Sequence, residues 1–151
     1  MPLVTRPGQT WEYILERDRV PEGATPEEAE RVLRHQTRWH LAGISAADRA
    51  GLEDELGTID PATKRWRMNT GTNTLTILRL GLRGADNLNV LDEAGTVKPV
   101  EFKTRSMVVL GKNRQGVPTD GFLDHIDVQD RRELANAITE GQQLTTDEKK
   151  G

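Results

Sequence analysis

Glu101 and Lys103, separated by Phe102 and preceded along the chain by Asp86 and Asp92, are the residues whose types and spacing come closest to carrying a reaction. Carboxylates are hard oxygen donors suited to a divalent cation, and a lysine beside them would help direct a metal-activated water at a phosphodiester. That chemistry needs the acids and the Glu-x-Lys segment on adjacent strands, with Glu101-Phe102-Lys103-Thr104 as the central one. Three neighbours argue against it. Pro99 has no amide to give a ladder two residues before Glu101, Lys98 interrupts the apolar run, and Thr72 to Leu82, the helix expected upstream, contains no acid.

The order of these residues resembles the acidic-then-Glu-x-Lys pattern of restriction-endonuclease-like nucleases. The resemblance implies a metal-dependent nuclease using Asp86 or Asp92 with Glu101 and Lys103. Other groupings carry less. His35, His40 and His125 could supply imidazole ligands, but their spacing fits no metal motif, and ordinary polar histidines are expected. Gly111-Lys112-Asn113-Arg114-Gln115-Gly116 has the glycines and lysine of a phosphate loop in the wrong order and no helix directly after it. Lys64-Arg65-Trp66-Arg67 joins cations to an aromatic, as single-strand nucleic-acid binders do, and would underlie a DNA-associated accessory role. A loop with Trp66 packed inward accounts for it as well. No Ser, His and Asp arrangement carries a nucleophile elbow. No catalytic, cofactor-binding or metal-ligating residue is therefore expected.

The bulk composition agrees with a binding module. A chain of 151 residues is the size of one domain, and 34% hydrophobic, 4% aromatic and 30% charged residues leave material for one modest core. A net charge of -3 lacks the basic excess usual in nucleic-acid binders. The absence of cysteine removes disulfides and thiolate sites and points to a reducing compartment, and apolar runs such as Met107 to Leu110 fall far short of the ~20 residues that cross a bilayer.

The elements that would position these residues are those of an α+β domain. Pro2, Pro7 and Gly8 make residues 1–10 an extended arm. Trp11 to Arg17 reads as a strand. Ala29 to Trp39 reads as a strand after a short helical turn, although Thr25 before Pro26-Glu27-Glu28 would also cap a helix with Ala29, Val32, Leu33 and Gln36 on one stripe. Ser45 caps a helix to about Leu56. Thr58 to Asn69 reads as a loop. Leu75, Leu78 and Leu82, with Ile77, place a core helix over Thr72 to Leu82, ending at Gly84 as a left-handed cap. Asp92-Glu93-Ala94-Gly95 turns a hairpin between Val90-Leu91 and Val97 to Phe102. Met107 to Leu110 is a further strand, Lys112 to Gly121 a surface loop, and a last helix runs from Asp127 to about Gly141 with Leu134, Ala135 and Ile138 inward. Residues 11–144 would form the domain and 145–151 a polar tail, both ends mobile.

Leu78-Arg79-Leu80-Gly81-Leu82-Arg83-Gly84-Ala85-Asp86-Asn87-Leu88, the turn at Asp92 to Gly95 and the strand to Phe102 resemble small proteins encoded among the virion genes of tailed bacteriophages. The closing Asp130-Arg131-Arg132-Glu133-Leu134-Ala135-Asn136-Ala137-Ile138 and the tail Asp147-Glu148-Lys149-Lys150 are similar to theirs, as is the extended start at Trp11 to Arg19. The resemblance implies a non-enzymatic role in particle assembly: a tail-assembly chaperone binding the tape-measure protein, or a minor head, neck or tail component. It implies structural and assembly proteins as partners, a homo-oligomer as an option, no membrane or nucleic acid, and work in the bacterial host cytoplasm or the virion.

Overall fold

The computed structural model describes the backbone of residues 9–55, 57–59, 62, 66–68 and 70–150, and side chains within 9–54, 62 and 73–140. It is an α+β fold in which small antiparallel sheets pack on helices.

The central sheet has the order β1 (Thr10–Tyr13), β2 (Arg38–Ala42), β5 (Leu82–Asp86), with β2 antiparallel to both neighbours. The strand expected over Trp11 to Arg17 therefore stops at Tyr13, and Glu16–Asp18 forms a single 3-10 turn. Between β1 and β2 lies α1 (Pro26–His35), which corrects the strand expected over Ala29 to Trp39. The cap decides the matter: Thr25 Oγ1 accepts the Glu28 amide at 3.2 Å, Pro26 supplies a pre-set φ, and two glutamates meet the positive end of the helix. No residue of α1 is buried, and Leu33, on its apolar stripe, is 50% exposed.

Ser45 opens α2 (Ala46–Glu55) as expected, its Oγ accepting the Asp48 amide at 3.1 Å; Leu56 lies outside the described residues. The loop expected over Thr58 to Asn69 is corrected. β3 (Gly57–Ile59) and β4 (Trp66–Met68) pair antiparallel, while Lys64 and Arg65 lie outside the described residues.

The core helix is α3 (Thr70–Gly81), and it passes into β5 without an intervening loop. Leu82 is therefore a strand residue, and Gly84 is a strand position rather than the expected helix cap. A Cβ on Gly84 would stand 3.1 Å from His40 Cδ2, so its role is to admit the imidazole of β2. Gly81 is tighter still: a Cβ there would meet Ile138 Cγ2 at 2.5 Å and the Ala42 carbonyl oxygen at 3.0 Å. Around that approach Leu78, Leu82, Leu134 and Ile138 are fully buried.

The hairpin of β6 (Asn89–Leu91) and β7 (Val97–Pro99) turns at Asp92 to Thr96 as expected, with Gly95 at φ +80 and the Asp92 carboxylate accepting the Thr96 amide at 2.8 Å. β7 ends at Pro99, short of the strand expected through Phe102, and Glu101-Phe102-Lys103, which a nuclease would need as its central strand, is the connection to β8 (Thr104–Val109). The surface loop expected over Lys112 to Gly121 is also corrected, to β9 (Lys112–Pro118), antiparallel to β8, and the one-turn α4 (Asp120–Leu123). Leu110 at φ 51 and Gly111 at φ 76 turn that hairpin. Two successive left-handed residues are the two-residue hairpin turn, and a leucine in the first position gives no turn signal in a sequence. Leu110 is held there by packing: its Cδ1 lies 3.4 Å from where a Cβ on Gly51 of α2 would stand.

The last helix, α5 (Val128–Lys150), begins where Asp127 suggested but continues through Gly141. One mid-helix glycine costs about 1 kcal/mol, too little to stop a long helix, so residues 145–150 of the expected tail are helical in backbone. Residues 1–8 of the expected arm lie outside the described residues, and Thr10 belongs to β1. The N-terminal region docks on α5 through Glu133 and Asp130. The Tyr13 hydroxyl and the Glu16 amide both donate to Glu133 Oε2, at 2.7 and 2.9 Å, and Arg17 reaches Asp130 at 2.6 Å. Bidentate Arg114 ties β9 to Asp48 of α2 at 2.7 and 2.8 Å and holds that carboxyl below the usual range.

Two outcomes follow. Gly81→Ala forces α3 away from α5 and should cost about 1–3 kcal/mol in urea unfolding, as overpacking does. Burial, reinforced by the bond to Glu133, raises the Tyr13 hydroxyl from 10.0 to about 12. A pKa raised by folding marks stability that is complete below the unfolded value near 10 and lost as pH climbs through about 12. Tyr13 is the only tyrosine, so tyrosinate absorbance of the native protein should titrate near 12, and Tyr13→Phe should remove the alkaline loss of stability in that window.

Candidate functional site

The residues singled out for metal chemistry are not assembled into a metal site. Asp92 is committed to its own hairpin: the Thr96 amide, and after it the Lys98 ammonium 3.2 Å away, hold its carboxyl below the usual range. Asp86 bonds His40 Nε2 at 2.7 Å across the β2–β5 pair. Glu101 and Lys103 are exposed, and no ion pair to either exists among the described residues. Nor do those residues contain any group of three or more His, Asp or Glu placed to hold a metal ion.

The remaining sequence motifs disperse. His35 lies at the end of α1 beside a hollow of about 270 Å³ shared with Arg17 and Arg31. His125 follows α4, so the histidines stand on separate elements. Gly111 belongs to the β8–β9 turn and Lys112 to Gly116 to the start of β9, with both glycines at positive φ, at 76 and 71. Trp66 and Arg67 fall in β4, but their side chains are outside the described ones.

What the fold does assemble is a cleft of about 500 Å³ between the β6–β7 hairpin and α4. One wall is the connection from Lys98 to Lys103, the other Thr119, Gly121, Phe122 and His125. The connection alternates. Phe102 turns inward, edge-on to the Phe122 ring with centroids 4.9 Å apart, while Glu101 and Lys103 face the cleft. Thr119 caps α4 by accepting the Phe122 amide at 3.2 Å, which leaves its hydroxyl proton free to donate. Glu101 and Lys103 thus belong to one site, together with the His125 that no spacing rule connected to them.

The opposite face of the hairpin is apolar and uncovered. Leu91 and Val97 are directly opposed across the strands and 70% and 62% exposed, and Pro99, which also borders the cleft at the strand's edge, continues the same face. Single exposed apolar side chains are ordinary, but a cross-strand pair extended by a third residue is a patch. Period-two alternation through Val97 to Pro99 is the sequence signal that could have found it. It was obscured because Val90 and Lys98, on the other face, are themselves of mixed character.

Comparison of the chain with family models, with curated proteins and with solved structures gives no match.

Proposed function

We propose that this protein acts without catalysis, by docking other proteins during bacteriophage particle assembly, as a tail-assembly chaperone or a minor head, neck or tail component. The observation that carries the docking part is the outward face of the β6–β7 hairpin. Leu91, Val97 and Pro99 are exposed together on a sheet of only two strands. Fully burying a leucine or valine contributes about 1.5–3 kcal/mol each, so covering this face is a sufficient start for a specific interface. A two-stranded hairpin is marginal alone in water and gains most from a covering partner.

The reading is also supported by the employment of the candidate acids. Asp92 shapes a turn and Asp86 holds His40, roles that leave Glu101 without a second carboxylate. The phage setting rests on the resemblance of Leu78 to Phe102 and of Asp130 to Ile138 to virion-gene proteins, and the partners proposed are structural and assembly proteins of the same particle.

Leu91→Glu with Val97→Glu should leave urea stability within about 0.5 kcal/mol, since both side chains are already in water. The same pair should weaken capture of the neighbouring tail and neck proteins at least about tenfold and lower particle yield in a complementation assay. Unchanged capture and yield would remove the docking reading. Incubation with magnesium or manganese should leave supercoiled plasmid intact. Nicking that vanished in Glu101→Ala and Lys103→Ala would replace docking with hydrolysis.

A further inference from the structure

The cleft is bordered by consecutive residues of the chain, Lys98, Pro99, Val100 and Glu101, not by every second one. Side chains of a strand alternate between faces, so consecutive residues border a hollow when the strand's edge is turned toward it. The hydrogen bonds identify which edge. The Val100 amide donates to the Leu88 carbonyl at 2.7 Å, on the β6 side. The Lys103 carbonyl accepts from the Thr119 amide at 3.0 Å, on the side of β9 and α4. The residues after Pro99 are not a strand, but these two bonds, three residues apart, leave on opposite sides as in an extended run, and that alternation would put the Glu101 N–H and C=O on the α4 side, beside the cleft that Glu101 lines. Among the described residues neither group has a partner. β9 would have continued along this edge, but the chain turns away at Thr119 into α4. Pro99 lies on the same edge and gives it no donor, as befits an edge strand.

From this geometry we infer that the cleft receives an extended segment of a partner protein, which adds to the outer edge of β7 as a third strand. The inference rests on the docking reading and identifies the kind of segment recognised. Three strands make a sheet where two are marginal, and strand addition draws affinity from main-chain bonds and specificity from side-chain pockets. One side chain of the segment covers Phe122 and Val90. Its charges are set by the rim. Lys98 and Lys103 lie at the two ends of the bordering connection, Glu101 is the one carboxylate among the lining residues, and His125 and the Thr119 hydroxyl stand opposite. On a chain of net charge -3 this is a locally cationic rim, and it selects a segment of alternating acidic and apolar residues. The Lys98–Asp92 pair does not block it, because a lysine 64% exposed in a surface ion pair exchanges partners at little cost.

The test uses the isotope-labelled full chain and capped peptides: Asp-Ile-Asp-Val-Asp, its counterpart with lysine in place of aspartate, and an acidic copy N-methylated at alternate amides. The acidic peptide should give saturable shifts at the Val100, Glu101, Gly121 and His125 amides, and the lysine peptide none. N-methylation, Lys103→Glu and Glu101→Pro should each raise Kd at least about tenfold, whereas Glu101→Ala should bind as tightly as the parent or better. Proline at 101 removes an amide that makes no described bond, and an otherwise unchanged spectrum checks that the fold is kept. Equal binding of the acidic and lysine peptides, indifference to N-methylation and Glu101→Pro, or no binding would each overturn strand addition. If the peptides fail while Leu91→Glu with Val97→Glu still abolishes partner capture, the cleft proposal alone falls; if that pair is also without effect, the docking reading falls with it.

Discussion

A helix that becomes a strand with no loop between them must change direction at one residue, and here that residue is the glycine most closely approached by its neighbours among the described residues. At Gly81 the absence of a side chain lets Ile138 of α5 and the Ala42 carbonyl of β2 come within a distance that any Cβ would forbid. Because α3 and β5 are joined directly there, the same contact sets the position of the central sheet relative to both long helices. Leu78, Leu82, Leu134 and Ile138 close around it with no exposure to solvent. The rest of the molecule is arranged about that meeting.

Polar ties then hold outlying elements to this center. Glu133 gathers the Tyr13 hydroxyl and the Glu16 amide, so β1 and the turn after it are fastened to α5 across most of the length of the chain. Arg114 does the same for β9 and α2 through Asp48, a geometry of two parallel bonds that a single point charge would not reproduce. No such tie among the described residues reaches the tip of the β6–β7 hairpin, whose polar contacts are its own: the Asp92 turn and the Lys98 ion pair. The hairpin therefore stands out from a well-secured body, with one apolar face in water and one edge along a cleft.

That contrast ties the fold to the proposed role. Asp92 shapes a turn and Asp86 makes a cross-strand bond, while the apolar side chains of Leu91 and Val97 stay open on a two-stranded sheet. Natural proteins usually cover such edges or charge them. Pro99, Glu101 and Lys103 are the edge-protecting kind of residue, and they also give the edge a chemical preference.

The α+β class, the capped start of α2, the core helix around Leu78, the Asp92 hairpin and the onset of α5 were legible from local pattern, because each depends on neighbours a few residues apart. The elements misread are those where distant contacts outvote local cues. Leu110 takes a left-handed turn because α2 offers it a packing site, so Lys112 to Pro118 becomes a strand despite its loop-like composition. Gly84 admits His40 instead of ending a helix, and α1 forms because its cap outweighs a weak strand pattern. For the site, residue types alone identified Glu101 and Lys103. Only the packing of Phe102 on Phe122 and the turn of the chain at Thr119 placed both residues on a cleft with His125, since an edge becomes open only when the strand that would have covered it leaves.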